Sequence, residues 1–263
     1  MREYHASDWE QLARNNGLDS FDAIWALDVG WFEEPNRRRG GWSGVSQAEV
    51  VLADGSRAGI FVKRQQDHIT RTLAHPLAGV LTFRREFQNL NRLHACGVPT
   101  LDILYFAERK VDGKRRSILI TRALAGYQSL EDYLQNWQRT GWPGKPAWHQ
   151  FIARLAGVAR LMHRNRIQHN CFFPKHVFLK DFDANPDIRL IDLEKAKHVF
   201  SVEQAMLRDL DTLNRHTSGV TTTERLRFLL AYHGRQCADD RVRKTWKKLV
   251  ELMHRKGRSP AGR

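Results

Sequence analysis

The sequence predicts an α+β fold in two lobes, a β-rich part over residues 1–122 and a helix-rich part over 123–263. Three observations predict it. Short apolar strands in the first part are closed by the turns Asp54-Gly55 and Asp112-Gly113, and Asp-Gly between such runs signals a hairpin. Beyond Ser129 the apolar residues recur at helical spacing. The 263 residues are 41% hydrophobic and 27% charged, which suits a folded chain with a real core. No stretch approaches the roughly 18 to 20 uninterrupted apolar residues that span a bilayer.

The first thirty residues read as helical, with Trp9, Leu12 and Ala13 as one apolar stripe and Phe21, Ile24 and Trp25 as another. A polar, glycine-rich segment runs from Glu33 to Gly44. Val45–Leu52 reads as a strand and Ala58–Lys63 as its return. Phe83, Phe87 and Leu90 lie on one helix face, and Gly97-Val98-Pro99 ends that helix. Ile103–Ala107 and Ser117–Thr121 are two more strands. The lobes join near Arg122 to Gly126. Ser129 then caps a helix whose stripe is Leu130, Tyr133, Leu134 and Trp137. Phe151, Ile152, Leu155, Ala159 and Met162 draw the buried face of a long helix ending near Asn165. Val177–Leu179 and Ile188–Ile191 are short apolar runs, and the remainder is helical.

Charge and cysteine usage narrow the classes. The chain has 43 Lys+Arg against 29 Asp+Glu, a net charge of +14. Arg241–Arg263 holds nine Lys/Arg and one acid, Glu251, so +8 of that total sits at the C-terminal end. Such a surplus attracts nucleic acid, acidic headgroups or a phosphorylated substrate, or it is a solvated helix that aids solubility. No RNP, zinc or helix-turn-helix signature supports nucleic acid, and none is expected as a partner. Cys96, Cys171 and Cys237 are too few and scattered for a disulfide framework or a cysteine zinc site. The opening residues Met1 to Asp8 carry no apolar signal core, so a reducing cytoplasm is the expectation.

Four features bear on chemistry. Gly40-Gly41-Trp42-Ser43-Gly44 is a glycine hairpin whose backbone N–H groups can turn toward phosphate, although most such loops are only turns. Lys63 ends a strand behind the apolar Phe61 and Val62. Glu86, on the following helix beside Arg84 and Arg85, is an acid able to pair with Lys63. His169-Asn170-Cys171 through Lys175-His176 is a polar loop before a short strand, and Ile191-Asp192 closes a second strand at the mouth of the cleft between the lobes. One carboxylate with substrate phosphates is the usual way to hold Mg²⁺.

In that order these features resemble the protein-kinase layout. More narrowly, the chain resembles the lipopolysaccharide kinase (Kdo/WaaP) family and its InaA-like branch. The resemblance rests on Asn36–Gly44, Phe61–Gln65, Phe83–Phe87, His169–His176 and Ile191–Ala196, and runs from about Phe21 to Leu230. It implies a two-lobed protein-kinase-like fold, ATP and Mg²⁺. It implies that Gly40, Gly41 and Gly44 cover the nucleotide, that Lys63 contacts the α/β-phosphates and that Glu86 orients Lys63. Asp192 would take the metal, with His176 where protein kinases keep a metal-binding Asn, and His169 and Cys171 would belong to the catalytic loop. Asp209 resembles the buried aspartate that ties that loop down, or is a helix-surface acid.

One departure stands out. Cys171 holds the catalytic aspartate position, and a one-residue slip puts Asn170 there instead. A thiol of ordinary pKa is a poor base at neutral pH and a poor ligand for Mg²⁺. Lys175, His169 and His176 offer ways to activate it, Glu194 or Asp183 ways to replace it, and a small buried hydrophobe is the plain alternative. Positioning and charge neutralisation carry most of phosphoryl transfer, and a lost general base removes about 10² to 10⁴ in rate. A slow kinase and a nucleotide-binding pseudokinase or envelope scaffold are both compatible with this loop.

No long activation segment or Ala-Pro-Glu motif follows Asp192, which argues against a protein substrate. A sugar hydroxyl of the lipopolysaccharide inner core, heptose or Kdo, or another lipid-linked sugar is the implied acceptor. Arg243, Lys244, Lys247, Lys248 and Arg255 would hold the protein at an anionic membrane, peripherally on the inner face of the inner membrane.

Overall fold

The computed structural model describes residues 2–38, 40–72 and 75–257. Arg39 of the glycine hairpin and the tail beyond Gly257, including Arg258 and Arg263, lie outside the described residues. The chain divides into two units, Met1–Asn91 with Leu101–Ala125, and Arg92–Thr100 with Gly126–Arg263.

In the first unit, β1 (Arg2–His5), α1 (Trp9–Asn15) and α2 (Phe21–Trp25) precede β2 (Glu33–Arg38), β3 (Gly41–Val51) and β4 (Arg57–Gln66). A hairpin, β5 (Ile69–Thr72) and β6 (His75–Leu81), leads into α3 (Thr82–Ala95). Then come β7 (Ile103–Val111) and β8 (Lys114–Arg122). The main sheet is antiparallel in the order β1-β7-β8-β4-β3-β2.

Alternation along β4 sorts its residues by face. Ile60 and Val62 pack with Ile118 and Ile120 against Trp9, Leu12, Phe21 and Ile24 of α1 and α2. Arg64 shares that face and is buried. It donates to the carbonyls of Trp25 and Leu27 at 2.8 and 2.7 Å and to Ser46 at 3.1 Å, tying the chain after α2 to the sheet. Phe61, Lys63 and Gln65 point to the other face.

Two strands depart from the sequence expectation. The first residues are not wholly helical, because Arg2–His5 adds β1 to the sheet edge, where Tyr105 donates to Glu3 at 2.9 Å. The polar segment after Glu33 is the edge strand β2, exposed except at Pro35, so it has no apolar alternation to betray it.

In the second unit, β9 (Gln128–Ser129) precedes α4 (Leu130–Thr140), which starts on a full capping box between Ser129 and Asp132. The long α5 (Lys145–Arg164) opens on Pro146 and buries Phe151, Ile152, Leu155, Ala159 and Met162. β10 (Ile167–Gln168), a 3₁₀ turn (Pro174–His176), β11 (Val177–Lys180), β12 (Asp187–Leu190) and β13 (Lys197–His198) follow. The unit ends in α6 (Val202–His216), α7 (Thr222–His233) and α8 (Asp240–Gly257). Among the described residues no helix is long and apolar enough to cross a membrane.

Candidate functional site

The first unit brings Lys63 and Glu86 together. Lys63 Nζ lies 2.5 Å from Glu86 Oε1, with the side chains 16% and 3% exposed. The register of strand and helix is fixed two residues further along β4. Gln65 Oε1 accepts from Thr82 Oγ1 at 2.7 Å and from the Phe83 backbone N–H at 3.0 Å, so one buried amide caps the first turn of α3. Glu86 sits one turn beyond. Gln65 is a positioning residue that sequence reasoning missed, although its same-face spacing from Lys63 on a strand was a usable signal.

Two of the three glycines answer to packing and the third, Gly40, to its left-handed backbone. A Cβ on Gly41 would sit 2.0 Å from the Gln66 carbonyl oxygen, so the β2–β3 turn lies against the β4–β5 turn. A Cβ on Gly44 would sit 2.5 Å from the Trp31 ring. Gly44 pairs with Arg64, on the sheet face opposite Lys63. Gly40 has φ +78° and nothing within 4 Å of its missing Cβ.

The second unit gathers the loop residues. Asp209 is 1% exposed and accepts from the His169 and Asn170 backbone N–H groups at 2.7 and 2.9 Å. Its Oδ2 also lies 3.1 Å from His163 Nε2, and His163 Nδ1 lies 3.0 Å from the Tyr232 hydroxyl. Asp209 is therefore no helix-surface acid. His163 and Tyr232, from α5 and α7, were absent from the sequence reading because each lies more than forty residues from its partner.

His176 Nδ1 bonds the Cys171 carbonyl oxygen at 2.8 Å, and its Nε2 lies 3.3 Å from Asp192 Oδ2. A carbonyl only accepts, so Nδ1 carries a proton, and a neutral ring then aims a lone pair at the carboxylate. A proton or a shared cation between the two atoms satisfies both. Asp192 is 40% exposed at its side chain and left-handed, φ 56°. It lies two residues past the end of β12, short of the strand position the sequence suggested, and β12 is anchored by Leu190 N–H to Pro99 O at 3.1 Å and Thr100 Oγ1 to Leu190 O at 2.6 Å.

His169 is fully buried, its ring parallel to that of His176 at 6.2 Å, and neither ring nitrogen has a hydrogen-bond partner among the described residues. Burial pushes its pKa down, against the pull of Asp209. Cys171 corrects the idea of an activated thiol. It is buried, and burial pushes its pKa up, with Asp192, Asp209 and Glu194 adding to that and only Lys195 opposing. What Cys171 supplies is its carbonyl, which orients His176.

Among the described residues there is no group of three or more His, Cys, Asp or Glu side chains able to hold a metal. Mg²⁺ needs no such cage: one or two carboxylates and substrate phosphates suffice, and Asp192 fits that pattern.

Comparison with known proteins gives the family. A profile of the lipopolysaccharide kinase (Kdo/WaaP) family matches residues 22–232. The chain is 29% identical to Protein InaA of Escherichia coli K12 over 206 residues, 78% of this chain and 91% of that one. It is 30% identical to the lipopolysaccharide core heptose(I) kinase WaaP of Pseudomonas aeruginosa over 235 residues, 84% of this chain and 82% of that one. A solved structure titled WaaP in complex with acyl carrier protein matches with TM-score 0.68 and 26% identity, over 97% of this chain and 98% of that one. The α+β fold is protein-kinase-like, as in that structure. The chain belongs to the lipopolysaccharide kinase (Kdo/WaaP) family, a family of phosphotransferases.

Proposed function

We propose that the protein transfers the ATP γ-phosphate to a sugar hydroxyl of the lipopolysaccharide inner core, a heptose or Kdo. The Lys63–Glu86 pair carries this reading: a buried carboxylate holds an ammonium in place without neutralising its use as a phosphate ligand. The first unit is then the nucleotide lobe, and Lys63 binds the α/β-phosphates. In the second unit Asp192 would hold Mg²⁺, and His176, held from behind by the Cys171 carbonyl, aims the carboxylate. Bound there, Mg²⁺ supplies charge neutralisation on the transferring phosphoryl group. Asp209 holds the loop that presents these groups. The exposed cations of α8, Arg243, Lys244, Lys247 and Arg255, suit a peripheral contact with the anionic inner face of the inner membrane. Purified protein incubated with labelled ATP, Mg²⁺ and dephosphorylated core tests this: wild type labels the core and Lys63→Met does not. No label from wild type would overturn it.

A second reading is favoured by one observation, the buried Cys171 with its raised pKa. A nucleotide-binding pseudokinase, acting as a scaffold in envelope biogenesis, needs no base at that position. ATP binding without transfer to any core acceptor would select it.

A further inference from the structure

The most exposed large apolar side chain among the described residues is Phe200, at 95%. A single exposed apolar group is ordinary on a protein surface, but the setting of this one is not. Ser201 caps α6, its hydroxyl accepting from the Gln204 N–H at 3.1 Å, so Phe200 is the residue just before the cap. An apolar residue there often folds back onto the fourth helical residue, here the buried Ala205. At 95% exposure the Phe200 ring is not folded back in this way and stands in solvent.

Cations flank it in both directions along the chain. Just before it, the Val199 N–H donates to the Arg166 carbonyl at 2.8 Å. That contact extends the β10–β13 pairing, in which Ile167 faces His198 and Gln168 faces Lys197. Residues 160–170 hold three Arg and no acid. Just after it, Glu203 in the first turn of α6 takes Lys248 of α8 at 2.6 Å. That bond, helped by the charge of Lys244, pulls the Glu203 carboxyl below the usual carboxylate range. Phe200 is thus one residue from the Arg166 contact and three from the α8 contact. Arg164, Arg166 and Lys197 are exposed and are paired with no acid among the described residues.

This chemistry selects a lipid surface over a protein one. A protein interface is built on a contiguous apolar centre depleted of charge. One bare ring with Arg and Lys beside it suits a headgroup layer instead, where the ring reaches the acyl boundary and the cations stay with the phosphates.

We propose that Phe200 is a membrane anchor: its ring enters the headgroup layer of an anionic bilayer while Arg166, Lys197 and Lys244 meet the lipid phosphates. The proposal rests on the peripheral contact assigned above to α8 and adds to it an apolar residue outside that helix. The test floats the full chain, without nucleotide, on vesicles of phosphatidylcholine alone or mixed equally with phosphatidylglycerol. Wild type should bind the mixed vesicles. Phe200→Ser should bind them at least about tenfold more weakly, and Phe200→Leu should return to within about threefold of wild type. Arg166→Ser and Lys197→Ser should each lose about fivefold at low salt. Leu77→Ser, which removes another exposed apolar side chain, and Arg139→Ser, which removes another exposed cation, should float like wild type. Phosphate transfer to water-soluble, delipidated core is read in parallel. Phe200→Ser should leave it unchanged and Asp192→Asn should float like wild type, so failure of the anchor and failure of the transferase reading are told apart. The proposal is overturned if Phe200→Ser floats like wild type, if Leu77→Ser loses as much, or if wild type gains nothing from phosphatidylglycerol. It is also overturned if wild type binds immobilised polyglutamate and Phe200→Ser weakens that as much, which would mark a surface for an acidic protein.

Discussion

Lys63→Met is the perturbation with the most informative double outcome. It takes the ammonium from a carboxylate that is 3% exposed and 2.5 Å away. Removing one partner of a buried pair costs about 3–5 kcal/mol. Lys63 itself is 16% exposed, so solvent screens part of the loss and the lower end, about 3 kcal/mol, applies. At about 2–4 °C per kcal/mol for a chain of this size, the melting temperature should fall by about 6–12 °C. A carboxyl left in that position escapes part of the cost by taking up a proton, so the loss should deepen as pH rises. Glu86→Gln added to Lys63→Met removes the buried charge and should restore stability to within about 1 kcal/mol of wild type. The double variant should still bind no ATP. Urea titration followed by circular dichroism gives the stabilities, and calorimetric titration with ATP–Mg²⁺ gives the binding. Lys63→Met as stable as wild type would refute the buried-pair energetics, and Lys63→Met with unchanged ATP affinity would refute the assignment of Lys63 to the phosphates.

Three further predictions concern single groups. Cys171→Ala should change transfer by less than about threefold, since a buried thiol of raised pKa is no base; a loss of about 10² or more would restore Cys171 to the chemistry. Asp209→Asn turns an amide N–H toward donors that now face oxygen, and should cost about 2–4 kcal/mol in urea unfolding, whereas a value under about 0.5 would mean the loop is held by other contacts. His233, at the end of α7, bonds Thr245 of α8 at 3.2 Å, and burial with the nearby Arg241 pushes its pKa down. As pH falls below about 6.5 the unfolded chain takes up a proton that the folded one resists, so stability drops on the acid side. His233→Gln should flatten the melting temperature between about pH 6.5 and 5, and an unchanged acid limb would contradict this.

What the sequence made legible follows the period of its apolar residues. The β3–β4 hairpin alternates, β7 and β8 carry continuous apolar runs, and both hairpins close on Asp-Gly, so their turns are readable, and the α5 stripe is readable over its whole length. β2 is polar on both faces and β1 is four residues long, so neither offers a pattern. The Lys63–Glu86 pair was legible from strand lysine and helix acid. The packing at Gly44 was not, because it depends on the ring of Trp31, thirteen positions earlier. Likewise, that Asp209 is buried depends on His163 and Tyr232 arriving from two other helices. Cys171 was legible as a departure, but its burial and the use of its carbonyl by His176 belong to tertiary structure.

The most direct test of the central claim is thermal stability with and without ATP–Mg²⁺, compared between wild type and Asp192→Asn. A ligand that binds only the folded state stabilises by about 2.7 kcal/mol at a hundred times its dissociation constant. Wild type should gain several degrees and Asp192→Asn almost none, while each folds alike without ligand. Equal gains in both, or no gain in wild type, would contradict the proposed role of Asp192 in holding the nucleotide's cation.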